Sequence, residues 1–186
     1  MPENPSSPEQ RSSLSIVDCT YALHARAILD ILNEAILNST ALYDYQPRTL
    51  DSMTRWFELK ADHGFPVIGA VDGSGQFLGF ASYGTFRERP AYKYTVEHSV
   101  YVQAQQRGRG VGRALMQELI ARARQRDLHV LVGGIDLSNA ASIALHQSLG
   151  FVHTGTLPQV GFKFGRWLDL AFYQLVLDTP RRPVDG

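Results

Sequence analysis

The chain has 186 residues, of which 44% are hydrophobic, and this length is typical of one domain with a substantial core. Its 18 Lys and Arg residues balance its 18 Asp and Glu residues, which argues against a nucleic-acid binder. The apolar runs are too short to span a bilayer, and the N-terminus lacks the apolar segment of a signal peptide. Cys19 is the only cysteine, so an intramolecular disulfide and a cysteine-based zinc cluster are excluded. We therefore expect a cytoplasmic protein whose partners include neither nucleic acid nor membrane.

The first half of the chain predicts a strand, two helices and a hairpin. Residues 1–12 are rich in proline and polar residues and predict a disordered tail. Asp18 or Thr20 is expected to cap a helix with apolar residues at helical spacing, and Thr49 or Asp51 is expected to begin a second helix that stops at His63-Gly64. The predicted elements are a strand at 14–17, helices at 20–38 and 49–63, and strands at 66–71 and 76–86 joined by a tight turn at 72–75. Cys19 is expected to be a buried structural thiol between the first strand and helix.

The second half predicts alternating strands and helices before a final pair of strands. These elements are a strand at 94–102, a helix from Val111, a strand at 129–135, a helix at 140–149 and strands at 151–157 and 168–177, the last two joined by a loop at 158–166. The order β-α-α-β-β-β-α-β-α-β-β predicts a mixed α/β (α+β) fold with a mostly antiparallel sheet and helices on both faces. The domain is expected to cover 13–178, with a flexible tail at 179–186 and no metal site.

A glycine-rich turn links the strand that ends at Val102 to the helix that begins near Val111. Glycines leave backbone N–H groups unobstructed, and the helix N-terminus adds unpaired donors and a positive dipole end, so this turn suits a phosphate or pyrophosphate. Arg113 stands where a dinucleotide fingerprint needs its third glycine, and no Gly-Lys pair exists for a P-loop. The remaining pattern is R-x-x-G-x-G at 107–112. An ordinary strand-to-helix turn is the alternative interpretation of these six residues.

The R-x-x-G-x-G pattern resembles the acetyl-CoA pyrophosphate loop of the GNAT superfamily of N-acetyltransferases. The segment 139–151, Asn-Ala-Ala-Ser-Ile-Ala-Leu-His-Gln-Ser-Leu-Gly-Phe, is similar to the segment that follows the fifth strand in that superfamily. The resemblance covers roughly residues 14–177 and implies a GNAT fold with acetyl-CoA as co-substrate. It implies that Asn139 binds the pantetheine amides. It also implies that backbone groups at the end of the preceding strand polarise the thioester carbonyl, those of Val100, Tyr101 and Val102. The glycine loop is expected to hold the pyrophosphate through Gly108, Arg109, Gly110, Val111, Gly112 and Arg113.

Three segments carry a closer resemblance within the superfamily. Residues 95–102, 139–142 and 158–169 look like the corresponding parts of phosphinothricin and methionine sulfoximine N-acetyltransferases. This resemblance implies acetylation of the α-amino group of a small amino acid analogue, and a homodimer. An N-acetyltransferase acting on a protein N-terminus and a non-catalytic CoA-binding sensor stay open as alternatives. This pattern is compatible with two biological roles. One is detoxification of an inhibitor, and hence antibiotic or herbicide resistance, and the other is ordinary amino-acid metabolism.

Glu97 is the residue we expect to act as general base, because carboxylates at this position are proposed as the base in related enzymes. Recognition of the substrate ammonium or a structural ion pair is the alternative role for Glu97. Its neighbour His98 falls on the opposite side of the strand in a regular β-conformation and is compatible with a core histidine. Ser99 follows on the same strand, and all three residues are candidates for contact with the substrate.

Two further sets of residues complete the expected site. His146 occupies the position where many superfamily members carry a tyrosine that protonates the leaving thiolate, so it either serves as that acid or has no chemical role. Arg87 and Arg89 follow the third predicted strand and suit a substrate α-carboxylate, because guanidinium groups bind carboxylates bidentately. Glu88 lies between them, so a solvated, internally paired turn is the alternative interpretation.

Overall fold

The computed structural model describes residues 14–185, which form a seven-stranded sheet and four α-helices. The elements are β1 (Ser15–Asp18), α1 (Tyr21–Asn38), α2 (Leu50–Asp62), β2 (Val67–Val71), β3 (Phe77–Thr85), β4 (Thr95–Val102), α3 (Val111–Gln125), β5 (Val130–Asp136), α4 (Ala140–Ser148), β6 (Val152–Lys163) and β7 (Arg166–Val176). The predicted element order is confirmed. The predicted disordered tail at 1–12 lies outside the described residues, and the domain limits and the flexible tail at 179–186 stay predictions.

For each N-terminal helix, the structure selects the threonine from the two capping candidates. The Thr20 hydroxyl accepts a hydrogen bond from the Leu23 N–H, and the Thr49 hydroxyl accepts one from the Ser52 N–H. A side-chain oxygen at this position satisfies one of the N–H groups that the first helical turn leaves unpaired. The apolar face of α1 then packs against the sheet, with Ile28 completely buried.

The sheet separates two hydrophobic layers. Its strand order is β1-β2-β3-β4-β5-β7-β6, and β4 and β5 form its one parallel pair within the described residues. Helices α1 and α2 cover one face around Phe80, whereas α3 covers the other face around Leu115 and Met116. The predicted mixed sheet with helices on both faces is therefore confirmed.

The parallel pair separates partway along its length. Thr95, Val96 and Glu97 of β4 pair with residues 130–132 of β5, and no further residues of these two strands pair. Beyond Glu97, β4 stays paired with β3 as far as Val102, whereas β5 stays paired with β7. A gap consequently opens in the middle of the sheet, and alternate backbone groups of β4 face this gap without a strand partner.

The prediction of a loop at 158–166 is wrong. β6 continues to Lys163, and residues 161–163 pair with residues 166–168 of β7 across a tight turn at Phe164-Gly165, where both residues have positive φ. A register irregularity between Leu157 and Gly161 takes up Pro158 and Gln159, and the Asp169 carboxylate accepts a hydrogen bond from the Gln159 N–H at 2.7 Å. Proline and glycine are common both in loops and in bulged strands, so these residues do not distinguish the two in the sequence.

Cys19 is half-buried next to β2. Its Sγ lies so close to Gly69 that a Cβ atom added to this glycine would be 2.8 Å from the sulfur. Burial, followed by the nearby Asp18 charge, raises the pKa of the thiol to about 12. A thiol with this pKa stays protonated and is a poor nucleophile. The expected structural role of Cys19 therefore fits its surroundings.

No helix between residues 14 and 185 is both long and apolar enough to cross a membrane. Across the same residues, no group of three or more His, Cys, Asp and Glu side chains is arranged to hold a metal ion.

Candidate active site

The glycine-rich turn ends in an uncapped helix. Gly110 precedes α3 with a φ of 84°, and Gly108 has a φ of 75°; the space beside the Cα of each glycine is open. α3 has no side-chain N-cap, so the first N–H groups of the helix lack an intrahelical partner. Gly112 lets the start of α3 approach α4, because a Cβ atom there would lie 3.3 Å from the Leu145 side chain. The turn thus has the geometry of an anion site.

The arginines of this turn lie in different directions. Arg107 contacts Glu34 of α1 at 3.3 Å, and Arg113 donates to the Ser148 hydroxyl of α4 at 2.8 Å; both arginines line the cavity beside the turn. Arg109 instead donates to Gln106 at 2.5 Å and does not line that cavity. The side chains of Arg113 and Arg107 therefore lie in the wall of the expected pyrophosphate site, whereas Arg109 adjoins that wall only through its neighbours Gly108 and Gly110.

A cavity of about 840 Å³ extends from the glycine turn between α1, α4 and the end of β4. Its walls include most residues expected to bind acetyl-CoA: Val100, Tyr101, Val102, Gly108, Gly110, Val111, Gly112, Arg113 and Asn139. Asn139 caps α4 by accepting a hydrogen bond from the Ser142 N–H at 3.1 Å, which leaves its amide N–H groups free to donate into the cavity. The donors and the elongated space fit a pyrophosphate and a pantetheine arm.

A small polar cavity of about 80 Å³ occupies the gap between β4 and β5. It adjoins the larger cavity, since both include Val100, Tyr101, Asn139 and Ser142 in their walls. Two adjacent glycines of β5 make room for side chains on the two faces of the sheet. A Cβ atom at Gly133 would lie 2.9 Å from the His98 ring, and one at Gly134 would lie 3.5 Å from Glu97 Oε1. Gly133 therefore leaves room for a histidine on one face of the sheet, and Gly134 leaves room for a carboxylate on the other.

Glu97 is half-buried and is the last residue of β4 that pairs with β5, so it lies where the gap begins. Burial raises the pKa of its carboxyl group, and the positive charge of Arg87 partly offsets this effect. A carboxylate in such a position is a better proton acceptor than one in water. Glu97 lies on the α1–α2 face of the sheet, and His98 lies on the α3–α4 face, as the strand alternation predicts.

His98 and His146 form a buried pair behind the gap. Their Nε2 atoms are 2.8 Å apart, and His146 Nδ1 lies 2.7 Å from the Ser142 carbonyl oxygen. Because a carbonyl only accepts, His146 Nδ1 carries the proton, and His146 Nε2 accepts from the His98 N–H. Neither ring of this pair directs a free N–H at the gap. The general-acid role of His146 stays a prediction, and it requires the pair to separate.

We expect the histidine pair to make stability depend on pH. Burial, then the neighbouring His146, lowers the pKa of His98 to about 3, and burial also lowers the pKa of His146. Unfolded histidine has a pKa near 6.5, so the unfolded state binds more protons below that pH. Between the two pKa values of His98, the free energy of unfolding should fall by about 1.4 kcal/mol per pH unit as the pH decreases, and His146 should add to this fall.

Urea unfolding at pH 7.5 and pH 5.0 measures this dependence. The double variant His98→Gln/His146→Gln should lose less stability on acidification than the wild-type protein, because glutamine does not take up a proton. His153→Gln, which changes an exposed histidine, is the matched control and should behave like the wild type. An unchanged pH dependence in the double variant would contradict the assignment.

A third cavity, of about 690 Å³, is lined by Arg87, Glu88 and Arg89. Along β4, Glu97 lies between this cavity and the gap. This cavity includes Thr95 and Val96 of β4 in its wall, whereas residues 98–102 line the other two cavities. The structure therefore separates the expected carboxylate-binding arginines from Ser99 and His98, and Glu97 lies between the two groups along the strand.

The segment between α1 and α2 is fastened to the β6–β7 hairpin. The Lys163 ammonium donates to three carbonyl oxygens at the end of α1, those of Ile36, Ser39 and Leu42, at 2.6–2.9 Å. The Tyr45 hydroxyl donates to the Phe162 carbonyl oxygen at 2.5 Å. These contacts hold residues 38–41 as one wall of the large cavity. The sequence shows no signal for this function of Lys163, because the pairing depends on residues more than 120 positions apart.

Comparisons with known proteins agree with this geometry. Residues 28–151 match the family described as the acetyltransferase (GNAT) family. The chain is 51% identical over 154 residues to the L-methionine sulfoximine/L-methionine sulfone acetyltransferase of Pseudomonas paraeruginosa, with 83% of this chain and 90% of that protein covered.

Two solved structures show the same fold. A protein from Acinetobacter baylyi ADP1 is 59% identical and superposes with a TM-score of 0.93, covering 95% of this chain and 100% of that chain. A phosphinothricin acetyltransferase of the GNAT superfamily from Sinorhizobium meliloti, in complex with acetyl-CoA, is 35% identical with a TM-score of 0.88, covering 93% and 94% of the two chains. On the fold, the glycine turn and these similarities together, the chain belongs to the acetyltransferase (GNAT) family.

Proposed function

We propose that this N-acetyltransferase transfers the acetyl group of acetyl-CoA to the α-amino group of a small amino acid analogue of the methionine sulfoximine, methionine sulfone or phosphinothricin type. The Pseudomonas paraeruginosa and Sinorhizobium meliloti relatives are acetyltransferases named for such compounds, and the chain covers most of their length. The observation that carries the proposal is the position of Glu97. Its carboxylate lies where β4 and β5 separate, beside a polar gap that opens into a cavity with an anion site.

The reaction in this proposal is direct transfer. The glycine turn and Arg113 bind the pyrophosphate of acetyl-CoA, and Asn139 donates to the pantetheine arm, so that the thioester enters the gap. In the segment of Val100, Tyr101 and Val102, the alternate backbone groups that face the gap hold the pantetheine arm and polarise the thioester carbonyl. The amine nitrogen forms the new C–N bond while the C–S bond to CoA breaks, and the amine proton passes to Glu97 directly or through water.

Recognition of the substrate is proposed to combine two sides of Glu97. Arg87 is close enough for its charge to act on Glu97 and suits a substrate carboxylate, with Glu88 and Arg89 in the same cavity wall. His98 and Ser99 lie on the other side, in the wall of the gap. In this proposal, an amino acid bound beside Glu97 directs its carboxylate toward Arg87.

A homodimer in the cytoplasm is part of the proposal. β6 forms an edge of the sheet, and exposed apolar side chains lie on β6, on β7 and in the turn between them: Val152, Leu157, Val160, Phe162, Phe164 and Trp167. Exposed apolar surface of this kind is typical of protein interfaces. Light scattering on the purified protein should give twice the 20.7 kDa chain mass.

A thiol-release assay tests the proposed reaction. Acetyl-CoA is offered with methionine sulfoximine, methionine sulfone, phosphinothricin and a peptide with a free N-terminus. Acetylation of the three analogues in preference to the peptide supports the proposal. Turnover of the peptide alone would instead identify an N-terminal acetyltransferase, and binding of acetyl-CoA without turnover of any amine would favour a sensor.

A further inference from the structure

Lys60 of α2 places a partly buried ammonium group in the wall of the third cavity, the one of about 690 Å³. Its Nζ donates to the Tyr83 carbonyl oxygen at 2.7 Å and lies 5.3 Å and 5.8 Å from the centres of the Trp56 and Phe65 rings. Within residues 14–185, Lys60 forms no other hydrogen bond and no ion pair. An ammonium group has three N–H donors, so two of them are available to a ligand.

The wall of this cavity carries more positive than negative charge. Its lysine and arginine side chains are Lys60, Arg87, Arg89 and Lys93, whereas Glu88 is its one carboxylate among the described residues. None of the four cations forms an ion pair in that part of the chain. Burial lowers the pKa of Lys60 to about 8, because the ammonium group loses hydration. A ligand oxygen beside Lys60 would replace this hydration with a charge-assisted hydrogen bond.

Gly84 relates Lys60 to Glu97. Gly84 of β3 lies directly opposite Glu97 of β4 in the antiparallel register, so the two residues project from the same face of the sheet. Side chains at such opposed positions begin roughly 4.5–5.5 Å apart. A Cβ atom added to Gly84 would lie 3.2 Å from Lys60 Nζ. The ammonium group of Lys60 therefore lies over Gly84, on the same face as Glu97 and one strand away.

We propose, on the basis of the proposed function, that Lys60 is a specificity-determining residue that donates a hydrogen bond to an oxygen on the side chain of the acceptor, the sulfonyl, sulfoximine or phosphinate oxygen. The acceptor has its amine at Glu97 and its carboxylate at Arg87, and its side chain extends over Gly84 to Lys60. An amino acid whose side chain lacks an oxygen leaves the two N–H groups of Lys60 unpaired. A site with unpaired polar groups disfavours such a ligand.

Lys60→Met tests this assignment with methionine sulfone and methionine, which differ only in the sulfonyl oxygens, as acceptors. The readout is the ratio of the two kcat/KM values, because a general loss of stability or activity affects both acceptors alike. Lys93→Met, which removes an exposed lysine from the wall of the same cavity, is the matched control. Lys60→Arg keeps a charged donor and should retain more of the preference for the sulfone than Lys60→Met does.

The preference of the wild-type protein for methionine sulfone over methionine should fall about 10- to 100-fold in Lys60→Met, the range for loss of a hydrogen bond to a charged group. It should stay within about twofold in Lys93→Met, as expected for an exposed charge. An unchanged ratio in Lys60→Met, an equal fall in Lys93→Met, or a wild-type protein without this preference would overturn the assignment. If the wild-type protein acetylates none of the amines, the proposed function fails first, and the inference fails with it.

Chemical labelling of the wild-type protein provides a second test if Lys60→Met does not fold. Reductive methylation with excess formaldehyde modifies lysine amines, and peptide mass spectrometry measures its extent at each lysine. Without acetyl-CoA and at equal concentrations, methionine sulfone should protect Lys60 from methylation more than methionine does. Lys93 should be methylated equally with either compound. Equal protection of Lys60 by the two compounds would contradict the assignment.

Discussion

Replacement of Glu97 by glutamine is expected to lower kcat/KM for the amino acid analogue by about 100- to 1,000-fold, within the range for loss of a general base. Glutamine preserves the shape of the side chain but does not accept a proton. The dissociation constant of acetyl-CoA should be unchanged, because Glu97 is absent from the wall of the large cavity. Thiol-release kinetics and calorimetric titration with acetyl-CoA measure the two quantities separately.

The pH profile gives this prediction a second readout. The base must be ionised, so the wild-type kcat/KM should fall in acid as Glu97 becomes protonated, at a pH above the ordinary glutamate pKa because burial raises it. The acid limb that belongs to Glu97 should be missing from the glutamine variant. Glu58→Gln, an exposed change on α2, is the matched control. Activity of Glu97→Gln within about threefold of wild type would assign proton removal to another group.

Replacement of Lys163 by methionine is expected to lower the free energy of unfolding by about 2–4 kcal/mol, since buried carbonyl groups left without a donor cost about 1–3 kcal/mol each. Lys163 is only 3% exposed, and its ammonium group satisfies three carbonyls at the end of α1. A positive charge at a helix C-terminus is also favourable to the helix dipole. Methionine fills a similar volume but donates no hydrogen bond.

Urea unfolding followed by tryptophan fluorescence measures this loss. Lys93→Met, which changes an exposed lysine, is the control and should alter stability by less than about 0.5 kcal/mol. Because residues 38–41 line the large cavity, Lys163→Met should also raise the KM of acetyl-CoA. Equal stability of the two variants would show that water replaces the ammonium group at these carbonyls.

The positions of the helices and strands follow closely from the sequence. Thr20 and Thr49 begin their helices because each hydroxyl accepts a hydrogen bond from an N–H group of the first helical turn. This interaction is local, so it can be predicted from the sequence. The glycine turn before α3 is local for the same reason, since Gly108 and Gly110 adopt positive φ values that other residues rarely do. The order of these elements, together with the two family motifs, is sufficient to predict the fold and acetyl-CoA as co-substrate.

The extent of β6 depends on its partner strand. Pro158 and Gln159 indicate a loop, and only pairing with β7 and the contact to Asp169 show that the strand continues around a bulge. A local pattern contains no information about a partner on another strand. The same limit applies to Arg109, whose side chain donates to Gln106 and does not line the cavity, although its backbone belongs to the glycine turn.

Sequence patterns alone are sufficient to predict the strand-turn-helix with the geometry of an anion site, and to predict that Glu97 and His98 lie on opposite faces of one strand. Three features are visible only in the folded chain: β4 and β5 separate after Glu97, Lys163 joins the end of α1 to the β6–β7 hairpin, and Asp136 lines the gap. The physical reason is range. Helix caps, turns and strand alternation depend on neighbours within about four residues, whereas a gap in a sheet or a buried charge depends on partners brought together only when the chain folds.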